Sequence, residues 1–259
     1  MLDKETGEIE KFTVDVPDRF EYFYLEDVYL EGSRLFISAD GRAFSADGAN
    51  IGESVFVYEI DMETQEVVQG EDVVDSYKEG DDLDYWYAYF QTDHGMGMES
   101  SPYSIIRLQG EKYDSNGNSE EHKDVMIVYN YLTRESTVMD FERTEEEYYA
   151  VDVHKDTIYR HYQLDDELII ERYDAESKEK MEDYSLTFDE SFDEDTGYQV
   201  SFSNGKTYVV YGNPRDSSIM IEAIDLLSGE HIYKGSVEAT GEKKPMPNSS
   251  LELYGVEVY

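Results

Sequence analysis

Five copies of a six-residue phrase, Asp/Asn-x-x-Thr/Ser-x-Glu, constrain this chain more than any other feature. They run Asp3–Glu8, Asp61–Glu66, Asn130–Glu135, Asp174–Glu179 and Asp225–Glu230, with starts 58, 69, 44 and 51 residues apart. Four copies follow an apolar or aromatic run: Val55–Tyr58, Val125–Tyr129, Leu168–Tyr173 and Ile219–Ile224. A turn phrase returning every ~40–50 residues after a strand marks one supersecondary unit used repeatedly. Each position has a physical reason. The opening Asp or Asn bonds backbone two residues on and starts a turn. Gly7 and Gly229 supply a positive φ where the chain reverses, the other copies placing Gln65, Arg134 and Lys178 there. The closing Glu starts the returning strand on its solvent side.

Between the phrases the sequence alternates short apolar strands with tight connectors such as Glu31-Gly32-Ser33 and Ser203-Asn204-Gly205. Four units follow from this. The first reads 22–28, 34–38, 54–60 and 66–69; the second 85–90, 104–108, 124–129 and 136–141. The third reads 148–153, 157–163, 167–173 and 181–188; the fourth 198–202, 206–211, 219–224 and 231–237. Two end strands, 8–14 and 251–259, flank them. The expected fold is all-β, a β-propeller of four-stranded antiparallel blades spanning roughly 18–70, 80–142, 147–188 and 198–238. It is either four full blades plus a partial one closed by the two end strands, or the C-terminal part of a larger propeller.

The runs Tyr58-Glu59-Ile60-Asp61-Met62-Glu63-Thr64, Glu171 to Ser177 and Glu222 to Gly229 resemble the strand-Asp-x-x-Thr-Gly signature of PQQ-like and YVTN-like propeller repeats. The likeness covers the third and fourth strands of each unit and implies fold, not activity. Those quinoprotein repeats end on a Trp that docks blade on blade. Here the sole Trp is Trp86, on a first strand, so the resemblance does not extend to PQQ as a cofactor.

With 61 acidic against 21 basic residues, the net charge is −40. Nucleic-acid affinity comes largely from cations that displace counterions, so such a chain repels nucleic acid, and anionic membranes likewise. Remaining partners are cations, proteins, and neutral ligands such as glycans or small molecules. No run of 18 apolar residues spans a membrane. The first residues show no signal peptide, and the absence of cysteine removes disulfides and thiolate metal sites. Acidity without cysteine suggests an extracellular or cell-surface protein of a bacterium.

Chemistry is expected where loops depart from the short-turn pattern. His94, Met96 and Met98 offer one imidazole and two thioethers, a set suited to Cu(I). Asp114, Asn116, Asn118 and Glu120 place oxygens at alternate positions, as at the opening of a calcium loop, although Ser119 stands where the EF-hand pattern has Gly. Trp86, Tyr87 and Tyr89 on one strand offer rings to a sugar or another ligand. The acidic runs 79–84 and 189–195 sit in corresponding connections and offer a weak multivalent-cation surface against the plainer reading of solvated loops. His154 and His161 flank the second strand of the third unit, and no nucleophile elbow, phosphate loop or HExxH motif occurs. These features favour a non-enzymatic binding or assembly module. A five-bladed glycoside-acting enzyme, or a subunit associating through open strand edges, is the alternative.

Overall fold

The computed structural model describes residues 13–15, 18, 20–44, 50–74, 84–90, 101–141, 149–188, 197–203, 205–212 and 218–238. These form sixteen strands and no helix. The first four are β1 (Phe20–Glu31), β2 (Arg34–Phe44), β3 (Asn50–Asp61) and β4 (Glu66–Asp72). Next come β5 (Tyr85–Phe90), β6 (Tyr103–Tyr113), β7 (Ser119–Asn130) and β8 (Ser136–Met139). Then follow β9 (Tyr149–His154), β10 (Thr157–Leu164), β11 (Glu167–Asp174) and β12 (Tyr184–Thr187). The last are β13 (Gly197–Ser203), β14 (Lys206–Gly212), β15 (Ser218–Asp225) and β16 (His231–Glu238). The first phrase copy and the end strand 251–259 lie outside the described residues, as does 8–14 apart from residues 13 and 14, which carry no strand.

Strands of each group of four meander antiparallel. β9 to β12 and β13 to β16 each make a four-stranded sheet. The first two groups, expected as separate sheets, are joined into one of eight strands by a single parallel bridge between Gly52 of β3 and Trp86 of β5. Only glycine permits that approach, since a side chain at Gly52 (φ 112°) would fall on the Trp86 carbonyl. The chain divides into two compact units, residues 1–90 with 104–140, and residues 91–103 with 141–259.

The phrase proves to be a self-contained turn. The opening oxygen accepts from the backbone N–H groups two and three residues on, at 2.8 and 3.1 Å for Asp61 and 2.8 and 3.1 Å for Asn130. At Asp174 and Asp225 the Ser hydroxyl adds a third donor, at 2.9 and 3.0 Å. Gln65, Arg134, Lys178 and Gly229 all take φ between 58 and 70°. The residue after the Asp then donates its N–H to the hairpin linking the first two strands of the same sheet: Met62 to Ser33 (2.8 Å), Ala175 to Asp156 (2.9 Å), Leu226 to Gly205 (3.0 Å). The phrase thus ties both turns at one end of a sheet together, which is why it recurs. Because a non-glycine residue is strained at positive φ, Gln65→Gly is expected to stabilise the protein by about 0.5–1 kcal/mol in urea unfolding, after the entropy cost of glycine in the unfolded chain.

In the first unit one face of the leading sheet meets the second sheet. Tyr29, Phe36, Val55 and Val57 pack with Trp86, Ala88, Ile106, Leu108, Ile127, Tyr129 and Tyr131. In the second unit Tyr159, Leu168 and Ile170 of one sheet pack with Phe202, Val209, Tyr211 and Ile224 of the next. Stacked sheets with alternating inward residues bury a continuous apolar layer. One strand-three side chain in each case reaches the phrase of the sheet stacked on it. Glu59 pairs with Arg134, and Arg172 donates to the carbonyls of Leu226 (2.8 Å) and Leu227 (3.2 Å).

Candidate functional site

The layer between the two sheets of the first unit also holds polar groups. On β2 the residues Phe36, Ser38 and Asp40 share a face, with Tyr29, Asp27 and Tyr24 opposite them on β1. Ser38 and Tyr131 are fully buried. Their oxygens lie 2.5 Å apart, and the Tyr131 hydroxyl reaches Asp27 at 3.2 Å, so the protons run from Ser38 to Tyr131 to Asp27. Burial, then the Asp27 charge, raises the phenol well above its ordinary value. Tyr131 therefore stays neutral and serves as a hydrogen-bonding pin.

Two residues further along β2, half-buried Asp40 has a buried oxygen, Oδ1, with no hydrogen-bond partner among the described residues. Burial, together with the nearby carboxylates of Glu26 and Glu53, pushes Asp40 up to about 7. Glu26 is the extra residue of the β1 irregularity between Leu25 and Asp27, and Glu53 adjoins Gly52 at the junction with Trp86. Between about pH 4, where an unfolded Asp titrates, and pH 7, the folded state holds a proton that the unfolded state has released. Stability therefore falls as pH rises across that window. Asp40→Asn is expected to remove this slope and to gain about 1 kcal/mol at pH 8, a figure discounted for solvent screening of a half-buried group; urea unfolding at pH 5 and pH 8 measures it.

Trp86 is buried in this layer at 5% exposure, with the Lys123 ammonium 5.5 Å from its ring centre. Tyr87 is half-buried on the alternate side of β5, and Tyr89 lies on the same strand. Alternation along β5 thus puts Trp86 and Tyr87 on opposite faces of the strand. Asp114, Asn116 and Asn118 do converge, at the tip of the long β6–β7 hairpin. Asp114 Oδ1 accepts the backbone N–H of Asn116 (2.7 Å) and Asn118 (2.9 Å), and Oδ2 accepts the Asn118 side-chain amide (2.9 Å). The Asn118 hydrogen bonds lower Asp114 to about 2. Its carboxylate is thus engaged in closing the turn, and both Asn amides present nitrogen to it, so calcium would require them to turn over. Glu120 is exposed on β7. Among the described residues no group of three or more His, Asp or Glu could hold a metal ion. Equal thermal shifts with calcium and magnesium, unaltered by Asp114→Ala, are the expected result. His94, Met96 and Met98, and the acidic runs apart from Asp84, lie outside the described residues.

The second unit buries charges that the sequence did not flag. Arg160, 2% exposed, lies 4.7 Å from the Tyr149 ring, 4.9 Å from Tyr162 and 5.5 Å from Phe141. It pairs with Glu171 at 3.0 Å, which also accepts from Tyr173 (3.0 Å) and Lys180 (2.7 Å). Glu222 repeats the device one sheet later, accepting from Tyr211 (2.7 Å), Lys234 (2.7 Å) and His231 (3.2 Å). Each Glu stands three residues before a phrase Asp, the one signal that could have found them. His161 of β10 bonds Asp152 of β9 at 3.0 Å through Nε2, both buried, while Nδ1 has no hydrogen-bond partner among the described residues.

No protein-family model matches the sequence, and no curated protein matches it. Similar solved structures include the Dos1 propeller, 11% identical over 86% of this chain and 59% of that one, TM-score 0.35. The Nup133 β-propeller domain of Vanderwaltozyma polyspora is 9% identical over 78% and 56%, TM-score 0.32. A post-proline cleaving enzyme from Rickettsia typhi is 8% identical over 83% and 38%, TM-score 0.39. The chain spans less than two thirds of each. The class supported by its own sheets is an all-β protein of antiparallel meanders, one sheet of eight strands and two of four.

Proposed function

We propose that the chain is a non-enzymatic, propeller-type module that binds or assembles proteins, exported or displayed at a bacterial surface. One observation carries the reading: among the described residues, most of the exposed large apolar side chains lie on strands that end a meander. They are Tyr24, Leu25, Val28 and Leu30 on β1, Val67 and Val68 on β4, Val138 on β8, and Ile232, Tyr233 and Val237 on β16. Apolar groups gathered at strand positions where a sheet can receive a further element mark interaction surfaces. The negative charge turns that preference toward partners with basic faces.

Asp40 favours a second reading. A carboxyl group protonated near neutrality beside two other carboxylates is the arrangement from which glycoside-cleaving enzymes draw a general acid. Incubation with chromogenic glycosides, peptides and esters separates the two. The binding reading expects no turnover above background; turnover lost in Asp40→Asn would replace it with the enzymatic one.

A further inference from the structure

The leading sheet presents an apolar stripe whose equivalents in the second unit are buried or half-buried. Register places Leu25, Val28 and Leu30 of β1 opposite Ala39, Ile37 and Leu35 of β2, and those opposite Phe56, Tyr58 and Ile60 of β3. All nine share the face turned away from the second sheet. Over β3 that face is covered, since Val14, Phe20 and Phe23 pack against Phe56 and Tyr58. Over β1 no described residue covers it, with Leu25 65%, Val28 53% and Leu30 44% exposed.

The hairpins that follow the first strands close on equivalent pairs, Glu31 with Arg34, His154 with Thr157 and Ser203 with Lys206. Counting back from them, Val28 and Leu30 correspond to Val151 and Val153 in β9 and to Val200 and Phe202 in β13. Val151 and Val153 are each 1% exposed and Phe202 is fully buried. In β13 the covering element is known: Phe202 and Val200 lie beneath Tyr159, Leu168 and Ile170 of the adjoining sheet. That sheet also sends Arg172 onto the carbonyls of Leu226 and Leu227 in the phrase turn. In the leading sheet the matching turn residues are Met62 and Glu63, so a carboxylate joins the carbonyl positions there.

From this we infer a docking surface on β1 and the Asp61–Glu66 turn, which takes the apolar face of a β-sheet in a separate partner protein carrying an arginine or lysine where Arg172 stands. The inference rests on the binding-module reading and specifies its surface. Three observations define the occupant. The same strand positions take a sheet face in the second unit. The turn acceptors match a guanidinium, reinforced by Glu63. Exposed Glu26 and Glu31 border the stripe, within a chain of net charge −40, and so favour a cationic rim. A second copy does not meet the requirement through the corresponding strand-three positions, because Val128 and Ala223 hold them in β7 and β15 and Arg172 is already engaged.

The test uses a cyclic β-hairpin peptide with Leu, Val and, two positions further along the same face, an Arg, as Arg172 follows Leu168 and Ile170, with Lys at its rim, titrated into the full chain by fluorescence polarisation. Controls are the same hairpin with Glu for the cations, and a scrambled cationic peptide. The cationic hairpin is expected to bind at least tenfold more tightly than either control. Leu25→Ser, Val28→Thr and Leu30→Thr combined, which leave the charge unchanged, are expected to abolish that advantage while far-UV circular dichroism stays native. Glu63→Gln alone should weaken binding several-fold. Equal binding of the scrambled peptide, or binding untouched by the triple substitution, would overturn the surface and leave the binding-module reading standing. Concentration-dependent dimerisation lost in the triple variant would assign the face to a second copy and overturn the separate partner. Catalytic turnover would overturn the parent reading instead.

Discussion

Glu171→Ala is expected to destabilise the second unit by about 3–5 kcal/mol, the cost of removing one partner from a buried ion pair. Arg160 is 2% exposed and lies among Tyr149, Tyr162 and Phe141. Those rings favour a cation, but they do not replace the carboxylate 3.0 Å away. Burial by itself would raise Glu171, yet the hydrogen bonds from Lys180 and Tyr173, with Arg160 beside it, hold it below its ordinary value. A depressed carboxyl contributes stability that is fully present above about pH 4.5 and is lost as pH falls through the folded value. Glu171→Gln, nearly isosteric, should therefore cost most at neutral pH and progressively less as pH falls through the folded value. Hydrogen exchange resolved to β9–β12 reads the effect where it arises. A loss below about 1 kcal/mol at pH 7, or one independent of pH, would show that the pair does not offset its own desolvation.

The phrase turn was readable because the contacts that close it are local. An Asp oxygen two residues from the N–H it accepts, a hydroxyl that supplements it and a residue at positive φ are encoded within six positions. The same locality located the strands, whose apolar runs alternate as a half-buried sheet requires. Strand ends were less legible. β6 and β7 continue well past their apolar cores, through Lys112–Tyr113 and Ser119–His122, because the hairpin carries its ladder out into solvent, where periodicity no longer reports on pairing. The bridge at Gly52 could not be read at all. It depends on a backbone approach to Trp86, 34 residues away, and glycine before a strand suggests a turn equally well. Buried charges were hidden for a related reason. Arg160, Glu171 and Glu222 look like the solvent-facing half of an alternating strand until cross-strand register places Arg160 opposite Glu171. For the aromatic strand at Trp86, alternation alone leaves open which of its faces is buried, and packing against the leading sheet decides that Trp86 lies in the core.

The second large effect is expected in the first unit, where Tyr131→Ala should cost about 3–5 kcal/mol, as for other large aromatic truncations in a packed core. Tyr131 is fully buried, stacked on Tyr29 at 5.7 Å and 13°, beside Phe36 at 5.7 Å and edge-on to Tyr129 at 5.4 Å. It enters this layer from the phrase turn of the second sheet, so its ring joins the two sheets through side chains where, among the described residues, the backbone ladder joins them at Gly52 and Trp86. Truncation would leave a void lined by three rings that the strands cannot close without breaking register. Tyr131→Phe separates the ring from its hydroxyl. It keeps the stacking but deprives Ser38 and Asp27 of a shared partner, for an expected cost of about 1–2 kcal/mol, since a buried polar group left unpaired loses its hydration without replacement. Urea unfolding followed by Trp86 emission reports from within the same apolar cluster. Its midpoint should fall in the order native, Tyr131→Phe, Tyr131→Ala. If the two variants fall equally, the hydroxyl and not the ring joins the sheets, and the Ser38–Tyr131–Asp27 chain is the stabilising element of the layer.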